Sequence, residues 1–209
     1  MKRKLLFTIF AVLGLSSFVI AQDNLLANYQ FDDIDDPIWD LNNNSGGDGV
    51  LVYDEFGELS GEYCASIEVN GTGDNNYNIQ LVQYGIPVEN GVTYYLSFMA
   101  KVEDVFNLAF SWEENGGSWT RYGTTSFILE PEITKYQYEF VSTGTDETAN
   151  FKFFFGDQAN VGLTVKLDSI VLSEDEFVYG EPTSVKQRSS NTDQLKVYPN
   201  PAKNDFTVS

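Results

Sequence analysis

The chain has 209 residues and is strongly acidic, with 31 Asp and Glu against 12 Lys and Arg and a net charge of −19. Such a charge repels phosphate backbones and anionic membrane surfaces, so nucleic acid is excluded as an expected partner. The sequence contains no histidine, which excludes Ser-His-Asp and Cys-His catalysis. A single cysteine, Cys64, excludes an intramolecular disulfide, so a hydrophobic core must stabilise the fold.

The first residues have the pattern of a secretion signal. Three basic residues in the first four positions precede an uncharged apolar run over residues 5–20, and Ala21 supplies a small residue at the cleavage point. We predict a signal peptide over residues 1–21. The alternative is a transmembrane anchor, since the run approaches the lower limit of a span, about 17 residues. After cleavage we expect no membrane span.

Residues 24–172 consist of short runs in which apolar and polar residues alternate, separated by clusters of Gly, Asn and Asp. Alternation with a period of two is typical of strands that place one face on a core. Clear runs are residues 63–69, 79–82, 94–101, 136–140, 151–155 and 163–168. We therefore predict an all-β fold over residues 22–173, a jelly-roll β-sandwich of two antiparallel sheets. A parallel α/β fold would need crossover helices, which this pattern does not offer.

Residues 76–101 illustrate the pattern best, because they predict two strands on either side of a turn at residues 90–91. In both strands the apolar positions share one parity, so they are expected to face the core, while Gln80 faces the opposite way. The predicted core residues of this segment are Ile79, Leu81, Tyr94, Leu96 and Phe98.

The composition changes after the predicted sandwich. Residues 174–194 are polar and indicate a linker, and residues 195–209, LKVYPNPAKNDFTVS, begin a strand that Pro199 must end. This last segment resembles the start of the C-terminal sorting domain of the type IX secretion system of certain Gram-negative bacteria. Members of that family continue for several more strands, so we expect a truncated domain here. The resemblance implies export by the general secretory pathway and then the type IX machinery, to the cell surface or the medium.

Several motifs between residues 24 and 172 follow one another in a recognisable order. Residues 24–32, NLLANYQFD, residues 91–101, GVTYYLSFMAK, and residues 165–172, VKLDSIVL, resemble the opening, central and closing strands of CenC-like carbohydrate-binding modules, the family 4, 9 and 22 group. The resemblance implies a jelly-roll sandwich that binds β-linked polysaccharide in a cleft on its concave face, often with a structural calcium ion.

Sugar rings have apolar faces edged by hydroxyl groups, so a binding site needs aromatic platforms beside polar side chains. Tyr77 and Gln80 occupy positions where the family places an aromatic and a polar contact. Trp119 and Arg121 follow a loop and are, with these two, our first candidates. The whole predicted ligand-binding set is Tyr77, Gln80, Gln83, Trp112, Trp119, Arg121 and Tyr122.

Each of these residues also has a structural interpretation. Trp112 shares its parity with Leu108 and Phe110, so core packing is at least as well supported as ligand stacking. Tyr77 shares its parity with a core position and could cap the core. Arg121 could be a surface partner for one of many carboxylates, a contact worth roughly 0–1 kcal/mol.

Asp32 and Asp168 match the two carboxylates that the family uses to bind calcium, although the family more often has Glu at the first position. Calcium takes six to eight oxygen ligands, so backbone carbonyls would complete the site. The alternative is a pair of solvated acids. Zinc is disfavoured, because the chain has no histidine and one cysteine.

No motif singles out two of the 31 acidic residues as a glycosidase pair, so we predict that the protein is not an enzyme. The predicted function is that of a secreted, monomeric module that binds polysaccharide or oligosaccharide. The alternative is a surface-exposed structural or adhesive β-sandwich without affinity for sugar.

Overall fold

The computed structural model describes residues 23–35, 37–55 and 59–176. Ten strands are present among them: β1 (Asp40–Asn43), β2 (Gly47–Glu55), β3 (Tyr63–Thr72), β4 (Ile79–Gln83), β5 (Thr93–Val102), β6 (Phe106–Glu113), β7 (Arg121–Leu129), β8 (Thr134–Val141), β9 (Asn150–Phe154) and β10 (Thr164–Ser173). Two short 3₁₀ helices lie at Asn76–Asn78 and Gln158–Asn160. The predicted signal peptide and sorting segment, and the linker from residue 177 onward, lie outside the described residues.

The strands form two five-stranded sheets with the orders β1-β4-β9-β6-β7 and β2-β3-β10-β5-β8. Every paired strand runs antiparallel to its neighbour. The predicted all-β jelly-roll sandwich is therefore confirmed. No helix within the described ranges is long and apolar enough to cross a membrane.

The core between the sheets is formed by the inward residues of the alternating runs. The five core residues predicted within residues 76–101 are each at most 1% exposed, which confirms them. Aromatic rings from opposite sheets meet edge to face, as Phe98 of β5 does with Phe153 of β9 at a centroid distance of 5.1 Å. Each such ring contributes roughly 1.5–3 kcal/mol through burial, so the aromatic layer supplies a large part of the cohesion of the sandwich.

Polar side chains occupy the alternate positions, on the outer face of the first sheet. Asn150 of β9 lies opposite Glu113 of β6, which in turn lies opposite Arg121 of β7. Two residues further along the same strands, Lys152 lies opposite Ser111. A band of polar groups therefore crosses three neighbouring strands.

A β-bulge determines which residues of β7 face outward. Trp112 pairs with Gly123, but the next residue, Glu113, pairs with Arg121, so that Tyr122 is the extra residue on its strand. A bulge of this kind reverses the alternation and redirects the side chains beyond it. Tyr122 is consequently buried and Arg121 is exposed.

We expect Gly123→Ala to destabilise the sandwich, because the added Cβ would lie 2.2 Å from the ring of Phe140. That ring is held by stacking on Tyr138 at 5.2 Å and cannot withdraw freely. Chemical denaturation should show a loss of about 1–3 kcal/mol, the usual cost of overpacking. Gly71→Ala is the matched control, since its new Cβ would meet nothing closer than 3.7 Å. Equal effects of the two substitutions would contradict this account.

Candidate functional site

A cleft of about 760 Å³ lies on the outer face of the first sheet. This volume falls within the range of small-molecule and cofactor sites. Its lining combines aromatic rings, charged groups and many amides: Asn42, Asn44, Ser45, Tyr77, Asn78, Gln80, Tyr84, Glu113, Asn115, Trp119, Arg121, Asn150 and Lys152. The polar band of the sheet therefore forms part of a concave site.

Three aromatic side chains of the lining are exposed: Tyr77 and Tyr84, each 44% exposed, and Trp119, 54% exposed. The two tyrosines flank β4, whereas Trp119 lies in the loop between β6 and β7. The tyrosine side is held by polar contacts, since Asn42 Nδ2 donates to Tyr84 Oη at 2.7 Å and Gln80 Nε2 donates to the carbonyl of Tyr77 at 2.6 Å. The Tyr84 ring is thus held through its hydroxyl, and all three rings offer apolar surface to the cleft.

The loop that carries Trp119 is organised by the carboxylate of Glu114. This carboxylate accepts hydrogen bonds from the hydroxyl of Ser118 at 3.0 Å and from the backbone amides of Ser118 and Thr120 at 3.2 and 3.4 Å. These bonds hold the pKa of Glu114 below its usual range. The backbone of Trp119 has a φ of 55°, in the left-handed region. The hydrogen bonds from the amides of its two neighbours, Ser118 and Thr120, to Glu114 hold this conformation.

A buried ion pair forms the floor of the cleft. Lys152 Nζ lies 2.8 Å from Glu113 Oε1, and both side chains are at most 7% exposed. The second carboxylate oxygen of Glu113 accepts from Ser111 Oγ at 2.6 Å and lies 3.6 Å from Arg121 Nε. Lys152 Nζ also lies 4.7 Å from the ring centroid of Trp119, a cation–π contact that connects the floor to the aromatic side.

One polar atom at the cleft has no hydrogen-bond partner. Asn150 Oδ1 is buried and unpaired within the described structure, and the residue is 1% exposed. A buried acceptor without a donor costs about 1–3 kcal/mol. Because Asn150 lines the cleft, a ligand hydroxyl that donates to this oxygen would remove that cost.

Four of the predicted ligand residues, Tyr77, Gln80, Trp119 and Arg121, are brought together in the lining. Their part in binding stays a prediction. The shared parity suggested that Tyr77 could cap the core, but the ring is exposed because its residue lies in the 3₁₀ helix before β4, where the strand alternation does not apply.

The other three predicted ligand residues do not line the cleft. Gln83 is 1% exposed and exchanges two hydrogen bonds with the backbone of Ala27, at 2.8 and 2.9 Å. Trp112 is fully buried in the core, where its ring meets that of Tyr94 edge to face at 4.8 Å. The bulge turns Tyr122 inward, and burial together with its hydrogen bond to Asp146 raises its pKa to about 12. These three residues therefore lie outside the described lining of the cleft.

The prediction missed Tyr84, Glu113, Asn150 and Lys152, which the cleft does contain. The sequence feature that could have indicated them is their position between core residues of a strand. Asn150 and Lys152, for example, alternate with Phe151 and Phe153, which face the core. Strand alternation predicts that a polar residue in such a position faces outward, even where its neighbours in sequence are aromatic.

The two predicted calcium ligands lie beside one loop. Asp168 on β10 is fully buried and accepts from the amide and hydroxyl of Ser60 at 2.8 and 2.7 Å, while Asp32 accepts from the amides of Glu62 and Tyr63 at 3.0 and 3.1 Å. Burial, with a contribution from Asp32, raises the pKa of Asp168 to about 6.

A buried carboxylate near a second carboxylate suits a hard cation such as calcium. Over the described residues, however, no group of three or more carboxylate or cysteine side chains is placed to hold a metal ion. A cation at Asp32 and Asp168 would therefore need carbonyl oxygens or water as further ligands.

The carbohydrate-binding domain family matches residues 23–160, more than half of the chain. The chain therefore belongs to this family of β-sandwich domains. The predicted resemblance to carbohydrate-binding modules is confirmed at this level, and the sorting segment at residues 195–209 stays a prediction. Comparison with curated proteins gives no match.

Solved structures with the same fold include carbohydrate-binding domains as well as parts of larger proteins, such as a bacteriophage tailspike protein and an arabinofuranosidase. They include a CBM4 structure (21% identity, TM-score 0.59, covering 70% of this chain and 97% of that one). A second is the N-terminal cellulose-binding domain of Cellulomonas fimi β-1,4-glucanase C, with 22% identity and a TM-score of 0.51. The match covers 66% of this chain and 90% of that one. A third is the CBM22-1 xylan-binding domain of Paenibacillus barcinonensis Xyn10C, with 13% identity and a TM-score of 0.54. The match covers 73% of this chain and 95% of that one. At these identities the likeness shows the fold alone.

We expect Glu113→Ala to destabilise the protein by about 3–5 kcal/mol, because it leaves the buried ammonium of Lys152 without its carboxylate. The double substitution Glu113→Leu with Lys152→Met should recover most of this loss. The control is Asp54→Ala, which breaks the more exposed pair with Lys166 and should cost at most about 1 kcal/mol. Urea denaturation measures all of these variants. A loss for Glu113→Ala no larger than that of the control would contradict a critical buried pair.

Proposed function

We propose that this chain is a non-catalytic module that binds a β-linked polysaccharide in the cleft on the outer face of the first sheet. The observation that carries the proposal is the lining of the cleft, where three exposed aromatic rings stand beside amide and charged groups and one buried acceptor lacks a donor. Membership of the carbohydrate-binding domain family supports it. The cellulose-binding and xylan-binding domains with this fold support a β-linked main chain.

The proposed binding uses two kinds of contact. The apolar faces of sugar rings pack on Tyr77, Tyr84 and Trp119, whose exposed surfaces lose water on contact. Sugar hydroxyls exchange hydrogen bonds with the amides of Gln80 and Asn150, and these bonds fix the orientation of the chain in the cleft.

The carboxylates of the cleft support the non-catalytic part of this proposal. Most glycoside hydrolases place two carboxyl groups roughly 5–10 Å apart around the scissile bond. The described lining of the cleft contains one, Glu113, and it is bound to Lys152 and Ser111. A single occupied carboxylate does not provide the acid and base that hydrolysis needs.

Export and metal binding are further parts of the proposal. The signal at residues 1–21 and the sorting segment at residues 195–209 would direct a monomeric protein through the type IX machinery to the cell surface or the medium. Asp32 and Asp168 would hold a structural calcium ion, whose charge would offset the cost of burying the carboxylate of Asp168.

The test of sugar binding is retention of the mature chain on a panel of glycans: β-glucan, xylan, mannan and polyuronates. We expect Trp119→Ala to weaken binding by at least about tenfold, since an exposed tryptophan at the centre of a contact commonly contributes about 2 kcal/mol. Tyr29→Ala, which removes an exposed ring outside the cleft, should leave retention unchanged. A structural or adhesive sandwich without affinity for sugar would be retained on no member of the panel, and that result would reject the proposal.

The test of the calcium site is thermal unfolding with calcium and with chelator. We expect chelator to lower the midpoint of the natural chain and to leave that of Asp168→Asn unchanged, because the variant lacks the buried anion that the ion would bind. Asp48→Asn, at an exposed position of β2, should keep the calcium response. A natural chain that melts at the same temperature in both conditions has no such site.

A further inference from the structure

The charge of the cleft is opposite in sign to that of the molecule. Acidic residues outnumber basic ones by 31 to 12 over the whole chain. In the described lining the charged residues are instead two cations, Arg121 and Lys152, and one anion, Glu113. The remaining lining residues carry amides, hydroxyls and aromatic rings. A positive charge is therefore retained in the cleft.

This positive charge resides on Arg121. Lys152 and Glu113 neutralise each other at 2.8 Å, and both are buried. The Nε of Arg121 lies 3.6 Å from Glu113, while its side chain is 54% exposed. Within the described residues Glu113 is the one charged partner of the guanidinium, through Nε, so the terminal nitrogens are open to a ligand in the cleft.

We propose that the cleft binds a glycan with an anionic substituent, a carboxylate or a sulfate ester, and that Arg121 pairs with this anion. The proposal rests on the proposed function, since it specifies the class of polysaccharide for the same site. The planar guanidinium presents its donors in a fork that matches two oxygens of an oxyanion. A neutral glycan would accept hydrogen bonds from the guanidinium but would leave its charge without a counter-charge.

The position of Arg121 suits a ligand that crosses the strands. Asn150, Glu113 and Arg121 lie in register on β9, β6 and β7. A sugar chain along this line meets the unpaired acceptor of Asn150, which needs a hydroxyl donor, and then the guanidinium, which needs an anion. Both kinds of group are present on uronic acids and on partly sulfated sugars.

The net charge of the molecule does not prevent this contact. At physiological ionic strength the Debye length is about 8 Å, so exposed carboxylates farther than this from the ligand are largely screened. Within the lining of the cleft, Arg121 carries the charge that the Lys152–Glu113 pair does not neutralise. The same screening predicts that added salt weakens the contact.

The experiment compares matched polymers on the mature chain: a polyuronate with its carboxyl-reduced form, and a sulfated glycan with its desulfated form. We expect one anionic form to bind at least about tenfold more tightly than its neutral counterpart, the usual worth of a charge-assisted hydrogen bond. Loss on carboxyl reduction identifies a carboxylate ligand, and loss on desulfation identifies a sulfate ester.

Three variants test the role of Arg121. Arg121→Gln should bind the anionic form no better than the neutral one, while Arg121→Lys should keep part of the preference. Lys135→Gln removes one positive charge from an exposed position of β8, in the other sheet. This variant should keep the full preference for the anionic form. The comparison of polymers on the natural chain decides the question even if a variant does not fold.

Three results would overturn the inference. Equal binding of the anionic and neutral forms would reject the anionic ligand and leave the proposed polysaccharide binding in place. Equal losses for Arg121→Gln and Lys135→Gln would assign the preference to net charge instead of the cleft. Binding to neither form of any polymer would reject the proposed function together with the inference.

Discussion

The structure depends on the aromatic layer between its two sheets. Phe98 of one sheet packs against Phe127 and Phe153 of the other at centroid distances of 5.0–5.1 Å, and Phe110 continues the layer along β6. Because these rings occupy the inward positions of their strands, the side chains between them must face outward. The polar floor of the cleft is thus set by the same alternation that builds the core. A shift of β9 by one residue would bury Lys152 between the sheets and expose the phenylalanines.

Much of this arrangement was predictable from the sequence, since it follows from alternation. The runs around Ile79 and Tyr94 indicated both the strands and their core faces. Alternation could not show where it is interrupted. The 3₁₀ helix before β4 exposes Tyr77, and the bulge opposite Glu113 exchanges the directions of Arg121 and Tyr122. The bulge depends on the register of the β6–β7 pairing, and the 3₁₀ helix is closed by hydrogen bonds between Asn75 and Asn78, so a period of two predicts neither.

Polarity and aromatic character were weaker guides than parity. Gln83 continues the parity of Ile79 and Leu81 and is buried, so its amide bonds to the backbone of Ala27 instead of facing the cleft. Trp112 is a core ring for the same reason, whereas Lys152 lies between two phenylalanines and reaches the site. Charge pairing across strands, as between Glu113 and Lys152, becomes visible only when the sheet order is known.

The loop fixed by Glu114 has a consequence for the kinetics of binding. Three backbone or hydroxyl donors hold this loop, and the cation–π contact with Lys152 holds Trp119 within it. A ring already ordered in the free protein loses little conformational entropy when a partner arrives. Association would then proceed without a slow rearrangement, at similar rates for related sugars. Selection among them would be expressed in how long each complex lasts before it dissociates.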